Sequence, residues 1–557
     1  QWQHKAAHLT LPSQAFIDGS YRDAVNGATF DCINPANGQL LTKVASCDAA
    51  DAELAVQAAR AAFDDKRWSG LSPKQRKLIM QRFAELMRLN QVELALLESL
   101  DMGKPIGDAM GYDAPAAANC IAWNAEAIDK IYDQVAPVEE SALALVTREA
   151  LGVVAAIVPW NFPLVMACWK LGPALATGNS VILKPSEKSP LTALRIAGLA
   201  KEAGIPDGVF NVLPGFGHTV GEALAMHMDV DCITFTGSTK IGKHLVQCSG
   251  KSNLKRAFME CGGKSPNIIL ADAPDLDAAA KSAVGAIFYN QGEVCTAASR
   301  LLVQNSIKPQ FMERLLAHAR EWIAANPLDP ATRIGAMVDG IQMEQVLNYI
   351  AIGQQEGARL LLGGKRTHTE SGGFYIEPTI FDEVTPEMRI FREEIFGPVL
   401  AVTGFDTLEE AIALGNDTDY GLAAAIWTAD LNKAVKGSRA LRAGEIYRAE
   451  KYLDPARLTS NMTRSGNKGG EIPLFHFYPF LNSLNRYNHQ IDKPLNIKIK
   501  MLFFLGSVLF LVVGLPLLFF MLGEGEAYVT WGPWISAIAL MLWLLMDVEK
   551  IRRGGRR

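Results

Sequence analysis

Hydrophobic positions along the chain form short continuous apolar runs that alternate with amphipathic stretches. The runs over residues 152–158 and 180–183 lack the alternation of a half-exposed strand and are typical of strands buried on both faces. Residues 209–213 and 232–235 repeat this pattern, with short helices predicted between the runs. This order predicts a doubly wound parallel sheet that binds ligands at the carboxyl ends of its strands.

Helix signals surround these runs. Ser189 as N-cap and Pro190 at the first helical position predict a helix that ends before Gly204. Upstream, apolar residues recur with helical spacing over residues 50–63 and 73–100. Both stretches are predicted to be helices that pack on the sheet.

The pattern changes after residue 444. Residues 445–500 show no sustained period and are predicted to be an irregular linker of unknown fold. Residues 501–522 and 527–546 carry no charge, and each is long enough as a helix to cross a ~30 Å hydrocarbon core. Basic flanks and an acidic connecting turn predict a membrane hairpin with both ends cytoplasmic, although a pair of buried core helices is the alternative. The lipid bilayer is therefore an expected partner, with a cytoplasmic body tethered to the inner membrane.

Composition narrows the function classes. Of the 557 residues, 49 % are hydrophobic, which excludes disorder for most of the chain. The 54 basic and 59 acidic residues give a net charge of −5, so a nucleic-acid scaffold is not expected. Eight dispersed cysteines without a CxxC pair argue against a disulfide framework or a metal site and favour a reduced compartment. No N-terminal signal peptide is visible.

Three residues are candidates for catalysis. Polar residues precede Cys295, and a helix-compatible run follows it. A thiol at the start of such a helix could have its thiolate stabilised, as a nucleophile requires. The alternative is that Cys295 is a small hydrophobic residue buried in the core. Glu260 is predicted at a strand end before two glycines and suits a general base if burial raises its pKa; the alternative is a solvated surface residue. Asn161 follows a buried strand, and its amide could donate to an oxyanion, or it could simply form a turn between prolines.

Two further segments suit a dinucleotide. Lys184 and Glu187 follow a strand and can bind ribose hydroxyls, while the carboxylate repels a 2′-phosphate, which favours NAD over NADP. An exposed pair beside a proline turn is equally compatible with this short segment. Residues 235–242 end a strand and begin a helix, so their backbone amides and the Ser238 hydroxyl suit a pyrophosphate.

Together these segments resemble the aldehyde dehydrogenase superfamily over about residues 14–444. The resemblance implies an α/β fold, with a doubly wound NAD-binding domain over residues 1–258 and a C-terminally truncated α/β catalytic domain over residues 259–444. Residues 131–150 would be an oligomerisation hairpin, so a homo-oligomer is possible. The resemblance rests on Pro-Trp-Asn-Phe-Pro at 159–163, Lys-Pro-Ser-Glu at 184–187, residues 235–242, 260–265 and 292–300, Glu-Glu-Ile-Phe-Gly-Pro-Val at 393–399, and residues 416–422.

The resemblance also implies roles. Cys295 would attack the aldehyde carbon, Asn161 and the Cys295 amide would hold the oxyanion, and Glu260 would activate the water that hydrolyses a thioester. Hydride transfer requires a tetrahedral carbon, which is why a thiolate precedes the redox step. The implied NAD-binding residues are Ile157, Pro159, Trp160, Lys184, Ser186, Glu187, Gly217, Gly221, Phe235, Gly237, Ser238, Glu394 and Phe396.

Within the superfamily, residues 167–173 and 288–292 resemble bacterial dehydrogenases of ω-amino or guanidino aldehydes from polyamine breakdown. Asp101 or Glu98 would then meet a cationic substrate tail, although acids in that helix are widespread in the superfamily. Cys261 stands where the family usually has Leu or Ala, and it is small enough to be tolerated there.

The pattern after Gly444 departs from the superfamily, which continues with a strand, a pocket loop and an oligomerisation strand. Three hypotheses follow. The chain is a working enzyme tethered to a membrane, a catalytically impaired fragment that binds NAD, or an enzyme fragment joined to a small hairpin membrane protein by fusion or assembly accident.

Overall fold

The computed structural model describes residues 1–449 and 458–460, and two large sheets dominate them. The first sheet has seven strands, five of which run parallel with every connection passing through helices. An antiparallel pair near the N-terminus closes one edge. In spatial order the strands are Arg256–Glu260, Cys232–Thr236, Val153–Ile157, Ser180–Lys184, Phe210–Val212, Ala15–Ile17 and Ser20–Arg22.

The central strands of this sheet are buried along their whole length. Every residue of Val153–Ile157, Ser180–Lys184 and Cys232–Thr236 is buried, as the uninterrupted apolar runs predict for strands with helices on both faces. The polar residues that follow these strands are therefore gathered at one edge of the sheet.

The second sheet has eight strands within the described residues. Its six inner strands are parallel, and one antiparallel strand lies at each edge. In spatial order the strands are Arg359–Leu362, Thr379–Asp382, Val399–Phe405, Arg300–Gln304, Pro266–Ile269, Ala423–Trp427, Glu445–Ala449 and Leu458–Ser460.

The last two strands correct a prediction. Residues 445–500 are not irregular from their start, because Glu445–Ala449 pairs in parallel with Ala423–Trp427. Leu458–Ser460 then pairs antiparallel with Glu445–Ala449. An unpaired Ala423–Trp427 edge would leave backbone amides without partners, and this pairing satisfies them although the local sequence lacks a strand period. The sheet is thus not truncated at residue 444.

Helices flank the sheets, and two boundaries differ from the predictions. The stretch 73–100 forms two helices, because Asn90 ends the first and begins the second, with its side-chain amide donating to the Leu86 carbonyl. Ser189 does not cap its helix; Pro190 holds that position. The helices of eight or more residues are Ala49–Asp64, Pro73–Leu89, Gln91–Met102, Ala114–Ala127, Pro163–Ala176, Leu191–Ala203, Thr239–Lys251, Leu276–Phe288, Lys308–Ala319, Gly340–Gln355, Leu408–Asn416 and Leu431–Ala440.

Three two-stranded sheets complete the described structure. They pair Thr29–Asn34 with Gln39–Ala45, Gln134–Ala136 with Ala144–Val146, and Arg366–Thr367 with Tyr375–Ile376. The second pair forms the predicted hairpin within residues 131–150. The two domain boundaries stay predictions.

No helix among the described residues is both long and apolar enough to cross a membrane. The predicted hairpin over residues 501–557, with its helices 501–522 and 527–546, lies outside the described residues, as does most of the predicted linker.

Candidate active site

The candidate residues of the first sheet lie at the carboxyl ends of its parallel strands. Ile157 and Lys184 each end a strand, and Pro159, Trp160 and Asn161 follow the first of these. Glu260 is the last residue of the edge strand, and its carbonyl accepts a 3.0 Å hydrogen bond from the Gly237 amide. The doubly wound topology therefore gathers motifs that are separated by up to a hundred residues along the chain.

Asn161 is buried and held by the segment that precedes Cys295. Its side-chain amide donates to the Glu293 carbonyl at 2.8 Å, and the Asn290 amide donates to the Asn161 carbonyl at 3.0 Å. An asparagine amide has two N–H donors, so one N–H of Asn161 remains for a second acceptor. The structure thus places Asn161 against the cysteine segment, as the oxyanion hypothesis requires.

Cys295 lies in a turn, not at a helix N-terminus. Asn290 and Gln291 adopt left-handed backbone angles within Tyr289–Gly292, and the chain passes from this short helix into strand Arg300–Gln304. The prediction of a following helix is wrong because pairing with Pro266–Ile269 and Val399–Phe405 draws the apolar run into the sheet. Cys295 is therefore not at the start of a helix that could stabilise its thiolate.

The electrostatic surroundings of Cys295 favour the thiol. Burial raises the pKa of Cys295 to about 12, and the nearby carboxylates Glu394 and Glu260 add to the shift. The residue itself is partly exposed. Because these surroundings favour the protonated thiol, the reaction needs an acceptor for the thiol proton.

Glycines let the motifs approach Cys295 closely. A Cβ on Gly263 would lie 2.3 Å from the Cys295 carbonyl oxygen, and one on Gly262 would lie 2.0 Å from the Glu394 carboxylate. The Gly263 amide donates to Glu394 at 3.0 Å. A side chain at position 263 would separate the Glu260 strand end from the cysteine turn, and one at position 262 would displace the Glu394 carboxylate.

Glu260 is exposed, so the burial that its predicted role invoked is absent here. Lys170, on helix Pro163–Ala176, is buried and electrostatically coupled to Glu260, and burial lowers the pKa of Lys170 to about 8. Glu260 lies near enough to Cys295 to affect the pKa of the thiol, so its carboxylate can accept a proton there while Lys170 interacts with it electrostatically.

Lys184 and Glu187 form an ion pair with 3.4 Å between Nζ and Oε2. Lys184 is buried, and burial lowers its pKa, while the Glu187 side chain is 31 % exposed. Ser186, also buried, accepts a hydrogen bond from the Lys188 amide at 3.3 Å. An ammonium and a carboxylate at one strand end can hydrogen-bond two adjacent hydroxyls, so this pair of side chains fits the ribose of NAD.

The expected pyrophosphate segment has the predicted geometry. Gly237 packs so closely on Phe235 that a Cβ would lie 2.5 Å from the ring. Ser238 is exposed and caps helix Thr239–Lys251 by accepting from the Ile241 amide at 3.4 Å. Gly217 and Gly221 bound a π-helical turn, Gly217–Gly221, that leads into helix Glu222–Met226. These backbone positions can approach an anionic ligand.

Glu394 and Phe396 lie on the side of the second sheet. The Phe396 ring meets the Trp160 ring edge-on at 5.2 Å between centroids, and Gln342 donates to the Phe396 carbonyl at 2.8 Å. Burial raises the pKa of Glu394. Motifs from both sheets thus meet around Cys295.

Glu98 and Asp101 do not face a substrate tail. Both side chains are fully buried, and each accepts a hydrogen bond from a backbone amide in the first turn of a helix. Glu98 accepts from the Leu164 amide at 3.3 Å, and Asp101 accepts from the Leu191 amide at 2.9 Å. The predicted substrate contact is wrong because the acids lie on the inner face of helix Gln91–Met102. Their position within an otherwise apolar stretch was the signal available in the sequence.

Asn290 is a site residue that pattern reasoning missed, since nothing in its spacing indicates that it orients Asn161. Lys264 was also missed as an individual residue: it is fully buried, no hydrogen bond satisfies its ammonium, and burial lowers its pKa to about 7.

Comparison with known proteins places these observations among relatives. The model of the aldehyde dehydrogenase family matches residues 21–467, which extends past the predicted end of the resemblance at residue 444. The NADP/NAD-dependent aldehyde dehydrogenase PuuC of Escherichia coli is 50 % identical over 446 residues, covering 80 % of this chain and 89 % of that protein.

Solved structures of aldehyde dehydrogenases are similar to this chain in both sequence and fold. The indole-3-acetaldehyde dehydrogenase AldA of P. syringae, in complex with NAD⁺ and IAA, is 60 % identical with a TM-score of 0.80. The gamma-glutamyl-gamma-aminobutyraldehyde dehydrogenase of Burkholderia cenocepacia is 57 % identical with a TM-score of 0.79. In both comparisons the match covers 83 % of this chain and 94 % of the other.

Proposed function

The chain belongs to the aldehyde dehydrogenase family, and on this premise we propose that Cys295, Asn161 and Glu260 carry its NAD-dependent oxidation of an aldehyde to a carboxylic acid. The observation that supports this proposal is the meeting of three motifs at the turn that carries Cys295. Asn161 is bonded to the turn before Cys295, and Gly263, three residues after Glu260, contacts the Cys295 carbonyl.

The reaction begins when the Cys295 thiol loses its proton and the sulfur attacks the aldehyde carbon. Glu260 accepts that proton directly or through water, and Lys170 stabilises the Glu260 carboxylate from its buried position. The free N–H of Asn161 and the backbone amide of Cys295 donate to the oxyanion of the thiohemiacetal. NAD⁺, when bound, accepts the hydride that leaves this carbon.

Loss of the hydride leaves a thioester on Cys295. Glu260 passes the thiol proton to solvent and then takes a proton from water. The resulting hydroxide attacks the thioester carbon, and the carbon–sulfur bond breaks to release the acid and the thiolate. The exposed position of Glu260 suits this step because the carboxylate can reach solvent water.

We propose that the strand ends of the first sheet hold the cofactor, together with Glu394 and Phe396 on the side of the second sheet. Lys184 and Glu187 bind the adenosine ribose, with Ser186 supporting their turn. Trp160, Gly237 and Ser238 lie along the pyrophosphate, Gly217 and Gly221 border the adenosine half, and Glu394 with Phe396 binds the nicotinamide ribose. Ile157, Pro159 and Phe235 provide the apolar floor.

We infer that the substrate is an ω-amino or guanidino aldehyde. A relative at 57 % identity is a dehydrogenase of such an aldehyde, and PuuC is 50 % identical. AldA, at 60 % identity, is a dehydrogenase of an aromatic aldehyde, which makes indole-3-acetaldehyde the competing candidate.

Turnover by the full chain tests this proposal. Purified residues 1–557 should reduce NAD⁺ with γ-glutamyl-γ-aminobutyraldehyde or 4-guanidinobutyraldehyde at a higher kcat/KM than with indole-3-acetaldehyde. A preference for the indole substrate would refute the substrate inference alone. NAD⁺ binding without turnover of any aldehyde would favour the catalytically impaired fragment.

The membrane hairpin over residues 501–546 stays a prediction with its own test. Carbonate extraction of membranes from cells that produce the chain should leave it in the pellet if the hairpin inserts. Release into the supernatant would refute the hairpin without affecting the proposed chemistry.

We also propose that the hairpin of residues 131–150 binds a second copy of the chain. Its apolar side chains are solvent-exposed, at 69 % for Val135, 73 % for Leu143 and 60 % for Leu145. Light scattering should show a smaller assembly for Leu143→Lys than for the natural chain; an unchanged mass would refute this role.

A further inference from the structure

Glu222, His244 and Cys248 form a cluster of three different metal-ligating side chains outside the proposed active site. His244 and Cys248 are four residues apart on helix Thr239–Lys251 and therefore share one face of it. Glu222 begins the neighbouring helix Glu222–Met226. The ligand atoms of these three side chains all lie within 4.8 Å of one another, and among the described residues no other group of three or more His, Cys, Asp or Glu side chains has this property.

Two of the three distances between the ligand atoms are close to those around a tetrahedral ion. The Cys248 Sγ lies 3.6 Å from His244 Nε2, which lies 3.8 Å from Glu222 Oε1. Tetrahedral zinc with ordinary Zn–S and Zn–N bonds places sulfur and nitrogen about 3.6 Å apart, and nitrogen and oxygen about 3.3 Å apart. The sulfur and nitrogen thus already have the spacing of zinc ligands, and the glutamate oxygen must move closer to the nitrogen.

Burial and access also suit a metal. Cys248 is 2 % exposed, while the side chains of His244 and Glu222 are 43 % and 47 % exposed. The thiol therefore forms the floor of the site, and the other two ligands form its open side. A fourth position would face solvent, as in three-ligand sites that retain a water.

We propose that Glu222, His244 and Cys248 bind a borderline-soft divalent metal, Zn²⁺ or Co²⁺. A thiolate, an imidazole and a carboxylate are ligands of this class of ion and not of Mg²⁺ or Ca²⁺, which prefer oxygen. On binding, Cys248 releases its proton to solvent as the metal–sulfur bond forms. The cysteine spacing in the sequence missed this site because only one cysteine contributes.

The site links two elements that border the proposed cofactor cleft. Glu222 directly follows Gly217–Gly221, and His244 lies six residues after Ser238. A bound ion would hold the two helices together at this edge. The aldehyde chemistry does not depend on this ion, so each proposal can fail without the other.

Titration with Co²⁺ and Zn²⁺ alone tests the site. The full chain should carry Cys295→Ala, which removes the partly exposed thiol of the proposed active site. We expect one Co²⁺ per chain with an absorption band typical of a thiolate ligand, and competition by Zn²⁺. His244→Asn and Cys248→Ser should each weaken binding at least tenfold, and Glu222→Gln should weaken it less.

Cys261→Ser is the matched control, since Cys261 is a partly exposed thiol outside the cluster. It should retain both the band and the affinity. If Cys248→Ser misfolds, as judged by circular dichroism, His244→Asn decides the test because its side chain is half-exposed. Absence of one-to-one binding, or binding unchanged in His244→Asn, would overturn the proposal.

Discussion

Two regions of this protein enclose charged or ionisable groups, and they differ in what surrounds those groups. Around Cys295, the carboxylates Glu260 and Glu394 and the thiol are partly or fully accessible. Around Lys104, the acids Glu98 and Asp113 are fully buried, with Lys104 Nζ 2.5 Å from Asp113 and 3.6 Å from Glu98. Burial raises the pKa in both regions, for Cys295 in the first and for Glu98 and Asp113 in the second.

The difference shows that a perturbed pKa does not by itself identify a catalytic group. The Lys104 cluster has no access to solvent, and its contacts are structural. Glu98 accepts from the Leu164 amide, and Lys104 lies 3.8 Å from the centre of the Phe162 ring, so the cluster fixes the loop that carries Asn161. We therefore expect chemical effects from changes in the first region and stability effects from changes in the second.

The largest effect expected in the first region is the loss of turnover. Cys295→Ala should lower kcat by at least about 10³-fold because it removes the proposed nucleophile on which the thioester forms. Calorimetric titration should show that NAD⁺ affinity is retained, because the proposed ribose contacts are elsewhere. Residual turnover near that of the natural chain would assign the nucleophile to another thiol, with Cys261 the first to examine.

The corresponding change in the second region is Lys104→Met. Removing the cation leaves two buried acids without their partner, which costs roughly 3–5 kcal/mol for a broken buried pair. Urea denaturation should report a clearly lower midpoint. The matched control is Lys43→Met, which removes a pair with Asp31 whose side chains are 62 % and 53 % exposed, and its effect should be within about 1 kcal/mol. Equal midpoints for the two variants would contradict the contrast.

Asn161→Ala tests whether the side chain of Asn161, on the loop that the Lys104 cluster holds, stabilises the oxyanion. Loss of one oxyanion donor should lower kcat about 10²- to 10³-fold with a smaller change in KM. Steady-state kinetics with one aldehyde measures this split. An effect confined to KM would indicate that Asn161 only binds substrate.

The pH dependence of Cys295 alkylation tests whether this accessible thiol is protonated in the free protein. Because the pKa of Cys295 is raised to about 12, the thiol is protonated near pH 7 and the thiolate fraction grows about tenfold per pH unit. Iodoacetamide labelling of Cys295 in the cofactor-free protein should therefore accelerate steadily from pH 7 to 10. A plateau by pH 8 would mean that the thiolate is already stabilised in the free enzyme.

The smallest effect concerns cofactor choice. Glu187→Gln should raise the Kd for NAD⁺ severalfold and that for NADP⁺ less, because the carboxylate binds a hydroxyl and repels a 2′-phosphate. Fluorescence titration with both cofactors measures this ratio. An unchanged ratio would place the ribose contact on another residue.

Sequence reasoning predicted the parallel strands of the first sheet because their apolar runs are buried on both faces. It also predicted that Asn161, Glu260 and Cys295 act together, although the resemblance and not the local patterns carried that inference. It failed for Glu445–Ala449, whose strand depends on a partner edge more than on its own period. It failed for the helix predicted after Cys295, because that helix-compatible run joins a sheet instead.

Acyl-enzyme trapping tests the central claim most directly. Mixing Glu260→Gln with NAD⁺ and an aminoaldehyde at about pH 9, where hydroxide replaces Glu260 as the acceptor of the thiol proton, should still form the thioester. Hydrolysis of that thioester should be slowed because no carboxylate activates water, so one acyl group per chain should accumulate. Peptide mass spectrometry should find that group on Cys295, together with a burst of one NADH. An acyl group on a different residue, or a burst of NADH without any adduct, would contradict the proposed chemistry.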